Sequence, residues 1–389
     1  MSLRSSLKAI SALLILAHVA EGAVFDVTKY GARPNADLKP ALLKAWSLAC
    51  SSRTPSTVMI PAGTYPLSPV IIQGPCVAPV GVQLRGTLKA PPLSQITTES
   101  WVAFQRIDRF TLSGGGIFDG MGADAWKKTI DCSTNTKCKR PTSIRFNFVK
   151  NAVIHDITSK DAKQFHITVL GGNDVTFQRL TIVAPEASRN TDGIHIGRSI
   201  NIKVLDSRIG TGDDCVSIGD GAQQVKVERV TCGPGHGISV GSLGKYANEQ
   251  PVSGIIVKDC SISKTMNGVR IKTWPGSPPS TASDMHFENI TMTNVGNPIV
   301  INQNYCDVRL KCPPKPPSKV KISKVSFKNI KGSSSTEVGV KLVCSSALPC
   351  ENVELGNIQL TYNGRAAKSE LANIKPITSG RINVALTGA

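Results

Sequence analysis

With 389 residues the chain has room for two or three ordinary domains, and its formal net charge of +18 points to a polyanionic partner. Only 5% of residues are aromatic and no nucleic-acid fold signature is present, so nucleic acid is set aside in favour of an acidic polysaccharide. A charge that serves only solubility or wall retention is the competing account.

At the N-terminus, Arg4 and Lys8 precede the apolar run Ile10–Val19, and small residues flank Glu21. This is the pattern of a secretory signal peptide over residues 1–22, with an apolar core too short for an anchor. Arg4, Lys8 and Glu21 sum to +1, so +17 remains after cleavage. No later stretch approaches membrane-spanning length, so a secreted, extracellular chain with no membrane partner is expected. Residues Asp37–Cys50, with Leu38, Leu42, Leu43, Trp46 and Leu48, carry helical spacing and Asp37 as a cap.

Further along, an apolar-x-apolar-x-x-apolar-x-apolar unit recurs. It reads Val175-Phe177-Leu180-Ile182, Val225-Val227-Val230-Cys232, Ile255-Val257-Cys260-Ile262 and Met285-Phe287-Ile290-Met292. Val320-Ile322-Val325-Phe327 and Val353-Leu355-Ile358-Leu360 continue it, while Ile202-Val204-Ser207-Ile209 is imperfect. Two period-two patches split by a short break describe strands joined by a bend. Variable Gly-, Pro- and Ser-rich loops on this core period predict an all-β parallel β-helix. The repeat has no linker, so residues 23–389 are read as one domain, and the helix near residue 40 would cap its open end.

Eleven cysteines in a secreted chain predict disulfides. Near neighbours in sequence give the pairs Cys50–Cys76, Cys132–Cys138, Cys215–Cys232, Cys306–Cys312 and Cys344–Cys350, leaving Cys260 as a buried thiol. Paired C-x-x-C units are absent, which disfavours zinc. The sequon Asn289-Ile290-Thr291 makes Asn289 a candidate for glycosylation.

Chemistry concentrates in one register. Asp192, Asp214 and His236 are 22 residues apart in turn, and each stands two residues before a triplet: Ile194-His195-Ile196, Val216-Ser217-Ile218 or Ile238-Ser239-Val240. If 22 residues make one coil, these side chains stack about 4.8 Å apart in one acid–base cluster with Asp213. Packed carboxylates repel, so one retains a proton beside an ionised neighbour, the pairing that glycoside hydrolysis requires. In the next coil, Arg270-Ile271-Lys272 alternates around an inward residue, so both cations are expected exposed and ready for a substrate carboxylate. Each piece has a plainer account: Asp in a Gly-flanked turn, His in a loop, Arg-x-Lys on a solvated strand. Shared register favours the site. Calcium on the Asp cluster is disfavoured by the adjacent cations.

Asn190-Thr191-Asp192-Gly193, Gly212-Asp213-Asp214, Gly235-His236-Gly237 and Arg270-Ile271-Lys272 stand in the order and spacing of the polygalacturonases, glycoside hydrolase family 28. The resemblance covers nearly all of the chain after residue 22, from Phe25-Asp26-Val27 onward. Arg270 to Pro278 is similar to the plant pollen-type exopolygalacturonases. The likeness implies a right-handed, pectin-lyase-like parallel β-helix that hydrolyses α-1,4-galacturonosyl bonds of homogalacturonan with inversion, as a monomer without metal or other cofactor. It implies that Asp213 is the general acid, Asp192 and Asp214 activate water, and His236 tunes the acid. Asn190 would orient Asp192, while Arg270, Lys272 and Tyr305 would bind substrate. Stacking geometry alone gives carboxylates near 5 Å, which suits a retaining pair, so inversion comes only from the resemblance. Exo action is expected from a wall at Met121–Ser143; endo action, a lyase and a non-catalytic pectin-binding wall protein are the alternatives.

Overall fold

The repeat closes into a parallel β-helix, described by a computed structural model over residues 22–126, 140–306 and 315–386. Each central coil contributes three short strands. Lys150–His155, Asn173–Gln178, Ile200–Leu205, Gln223–Glu228 and Val252–Lys258 form one face. Thr158–Lys160, Thr181–Val183, Arg208–Gly210, Thr231–Cys232 and Ser261–Ser263 form the second. The third is an eleven-stranded sheet that includes Ile167–Leu170, Ile194–Gly197, Val216–Ile218, Ile238–Leu243 and Asn267–Thr273. Inward positions stack like on like: Val175 pairs with Ile202, Ile202 with Val225, Val225 with Ile255 and Ile255 with Met285. All five are 0% exposed, so each coil is held by the aliphatic ladder above and below it.

The break within the repeat is a bend residue in left-handed conformation. Arg179, Asp206, Arg229, Asp259, Asn289, Asn329 and Asn357 have φ between 50° and 56°, a region that Asn and Asp tolerate best. Late in the stack these bends form an amide ladder: Asn289 donates to Asp259 at 3.0 Å, Asn329 to Asn289 at 3.1 Å, and Asn357 to Asn329 at 3.0 Å. Asn289 is exposed as expected for its sequon, but its amide is engaged on both sides.

One repeat assignment slips. Val325 pairs with Met285, Phe327 with Phe287 and Ile330 with Ile290, so that coil reads Val325-Phe327-Ile330-Gly332 rather than starting at Val320. The strand Val320–Ser334 runs through both faces, and its first residues pair with Ser280–Ser283, ahead of the repeat proper. Gly332 fills the fourth slot, which hid the true register.

The capping helix spans Lys39–Ser51, with Pro at its first turn. Asp37 accepts from the Lys39 amide at 3.1 Å and also from Ser68 at 3.0 Å, although the cap position itself is Leu38. Trp46 seats the helix, edge-on to Phe110 at 6.2 Å and donating Nε1–H to the Gln73 carbonyl at 3.0 Å. The disulfide Cys50–Cys76 ties it to the next coil; Cys215–Cys232 and Cys344–Cys350 also form, and Cys260 is a buried free thiol. Cys306 is disulfide-bonded. Cys132, Cys138 and Cys312 lie outside the described residues, as do residues 1–21, on which nearly all of the expected signal peptide falls.

Candidate active site

Through the three coils of the site the third sheet keeps the 22-residue period. Ile194 pairs with Val216 and Val216 with Ile238, and Val269 follows Ile238. The segments just before these strands therefore stack as well: the Gly193 amide donates to the Asp214 carbonyl at 2.9 Å, and the His236 amide to the Asp213 carbonyl at 2.8 Å. Glycines permit the approach. A Cβ at Gly212 would sit 1.8 Å from the Ser188 carbonyl oxygen, and Gly237 has φ +88° with its Cβ site 2.1 Å from the Asn267 carbonyl oxygen.

Asp214, 1% exposed, is the hub. Its Oδ1 accepts from Ser239 Oγ at 2.9 Å and Arg270 Nη2 at 3.0 Å, and its Oδ2 from Lys272 Nζ at 2.8 Å. Burial pushes this carboxyl up, but Lys272 and Arg270 outweigh it and hold the group at about 2. Asp192, 6% exposed, goes the other way. Burial first, then the charges of Asp213 and Asp214, raise it well above the ordinary carboxylate range, against the pull of Lys272 and a Ser217 hydrogen bond. Asp213 Oδ1 accepts the Asp214 amide at 2.9 Å and lies 2.8 Å from His236 Nδ1.

The expectation of two exposed cations fails. Arg270 and Lys272 are only 9% and 7% exposed, because both reach back across the intervening coil to the buried carboxylate of Asp214. They line the site as an ion-paired triad. Lys272 gives Asp214 one of three donors and Arg270 one of five, with a second Arg270 N–H on Ser239, so both retain donors for a ligand. Tyr305 closes this side: Lys272 Nζ is 5.4 Å and Arg270 Cζ 6.0 Å from its ring centre, and Trp274 packs edge-on at 5.1 Å.

Asn190 has φ +58°, and its buried Oδ1 meets no protein partner among the described residues. Ser217, one coil on, is the hydroxyl that pulls the Asp192 carboxyl down. Ser217, Ser239 and His195 were not singled out from sequence, although all are the middle residue of an apolar-x-apolar triplet. In the sheet these middle positions form one outward column, His195, Ser217, Ser239 and Arg270.

The side chains of Asp213, Asp214 and His236 offer ligand atoms all within 4.8 Å of one another. A cation there would face Lys272 and Arg270, which already hold both oxygens of Asp214. The donor set therefore fits acid–base work better than metal binding.

Residues 50–382 match the glycosyl hydrolases family 28. A polygalacturonase from Medicago sativa is 50% identical across 93% of this chain and 87% of its own length. An exopolygalacturonase from Platanus acerifolia is 48% identical across 93% and 97%. Among solved structures, an endo-xylogalacturonan hydrolase from Aspergillus tubingensis superposes with a TM-score of 0.79 at 23% identity, covering 94% of this chain and 99% of that one. A parallel β-helix, a paired Asp213–Asp214 at a turn of its third sheet and this breadth of likeness together lead to one assignment: the chain belongs to the glycosyl hydrolases family 28.

Proposed function

We propose that the protein is a secreted polygalacturonase that hydrolyses α-1,4-galacturonosyl bonds of homogalacturonan, with inversion, from the chain end. One observation carries the chemistry: Asp214 is ion-paired at 3.0 Å to Arg270 and 2.8 Å to Lys272, which holds it as an anion in a cluster with two further carboxylates. Three such groups cannot all ionise, so the cluster keeps a proton next to a permanent base. In this reading Asp213, paired with His236, gives the proton to the leaving oxygen. Asp214, with Asp192 once ionised, draws a proton from the attacking water. The residual donors of Arg270 and Lys272, with Tyr305 and Asn190, receive the galacturonate, and a positive chain favours its capture.

Exo action is supported by the name of the Platanus acerifolia relative and by a pocket of about 440 Å3 that reaches the site strand at His195, on the N-terminal side of the stack, without including the carboxylates themselves. Arg140 and Thr142, from the end of the stretch expected to form a wall, line it; residues 127–139 of that stretch lie outside the described residues. The test is product analysis on polygalacturonate at about pH 5. Monomer alone from the first time points is expected. An oligomer ladder would mean endo action, unsaturated products a lyase, and binding by folded protein without any product a non-catalytic wall protein.

A further inference from the structure

The pocket that reaches His195 extends over the two coils before it. Arg145 pairs with Thr168 and Thr168 with His195, and Ser217, Ser239 and Arg270 continue the same column. Arg145, Thr168 and His195 each stand between two buried apolar neighbours, so all three side chains point outward. At about 4.8 Å per coil, Arg145 lies about 10 Å before His195 along the stack and Arg270 about 14 Å after it. Two cationic positions on one column therefore bracket the coils of Asp192 and Asp214.

Between the acids and Arg145 the wall turns aromatic. Phe165 stands two residues before Ile167, as Asp192 stands before Ile194, so a ring takes the place of an acid where the pocket begins. It lies on the His195 ring with centres 5.3 Å apart and planes 26° from parallel. Thr168 lines the pocket, and its buried Oγ1 has no hydrogen-bond partner among the described residues. The volume, about 440 Å3, falls in the range of small-ligand sites. Arg145 already holds one carboxylate there: Nη1 donates to Glu99 at 2.5 Å, while Nε donates to Asn147 Oδ1 at 3.0 Å. Three of its five N–H groups remain. The Glu99 side chain is 82% exposed against 23% for Arg145, so the guanidinium is seated and its partner is in solvent. Such a pair contributes little and is readily exchanged for another carboxylate.

We propose that this pocket seats the galacturonosyl residue at the chain end, with Arg145 binding its carboxylate in the place Glu99 holds in the free protein and Thr168 Oγ1 bonding one of its hydroxyls. The inference rests on the reading of the protein as an exo-acting polygalacturonase. It adds a second point of charge recognition to that reading. Arg270 and Lys272 take the carboxylate on one side of the cleaved bond, and Arg145 takes the terminal one on the other. A methyl ester on the terminal residue removes the negative charge and the paired oxygens that the guanidinium fork needs. Glu99 competes for the same fork, so it opposes binding rather than assisting it.

Digalacturonate and its two monomethyl esters, compared as substrates of the whole protein, separate the two carboxylates. Each ester should raise the wild-type KM by about 10- to 100-fold over the free diacid. Arg145→Gln should raise KM for the diacid by a similar factor and abolish the penalty of one ester only, while Arg270→Ala abolishes the penalty of the other. Glu99→Gln should lower KM for the diacid by about threefold, since the competing acid is gone. Arg145→Gln that leaves the diacid unchanged, or that weakens the diacid and both esters alike, would overturn the proposal. So would equal rises in KM for Glu99→Gln and Arg145→Gln with a matching drop in Tm, which would make the pair a structural contact. If the wild type cleaves none of these, the functional reading fails, and calorimetry with galacturonate still decides the pocket. Binding to Arg270→Ala protein that disappears when Arg145→Gln is added would uphold the subsite; binding that survives in the double variant would sink it.

Discussion

Asp192 and Asp214 sit one coil apart in the same column, yet their replacement by Asn should shift stability in opposite directions. At Asp214 the native carboxyl is held at about 2 against an ordinary 3.8, a difference of about 2 kcal/mol in favour of the fold. A depressed carboxyl stabilises above its unfolded value, so this contribution is complete above about pH 4 and drains away as pH falls toward 2. Asp214→Asn also strands Arg270 and Lys272, both under 10% exposed, without their counter-ion. Breaking a buried ion pair costs about 3–5 kcal/mol, and for a chain of this length that lowers Tm by about 4–6 °C. Asp192 has the reverse sign. Its raised carboxyl costs stability progressively as pH climbs from 3.8 toward its native value. Asp192→Asn removes that cost and should raise Tm at pH 7, with the gain vanishing below about pH 4. Thermal melts of both variants at pH 7 and at pH 4, with disulfides intact, make the comparison. An Asp214→Asn protein as stable as wild type, or an Asp192→Asn protein less stable at pH 7, would refute this electrostatic account.

Asp213→Asn should lower kcat by about 100- to 10,000-fold with an unchanged circular dichroism spectrum, because the lost proton donor acts only in the transition state. Arg270→Ala should weaken polygalacturonate far more than a methyl-esterified chain, as read from the ratio of KM values; a uniform loss would remove it from carboxylate recognition. Burial pushes the Cys260 thiol up to about 12, so mass spectrometry should find no alkylation by iodoacetamide at pH 8 in the folded protein and full alkylation after unfolding.

The architecture was legible because a solenoid writes its period into the chain. The exact spacing of Asp192, Asp214 and His236 survived folding because Ile194, Val216 and Ile238 stack without a slip. Where a coil began with extra strand, at Val320, the same pattern misled by half a unit. Alternation also placed Arg270 and Lys272 on the outward face correctly, but outward is not exposed: an acid in the preceding coils claimed them, which depends on side-chain reach and not on period. Ser217, Ser239 and His195 escaped notice for a related reason. In single strands each is merely the polar half of an alternation, and only stacking reveals them as one column that reaches the Asp214 carboxylate.

A stack of coils coupled mainly to their neighbours does not open all at once. Terminal coils have support on one side only, so the two ends should fray first and exchange their amide hydrogens soonest. The residues from Asn190 to Arg270 lie well inside the described span of 22 to 386, with coils on both sides. Heat or protease that nibbles the last turns would therefore leave the groove standing, and activity should outlast the loss of the ends.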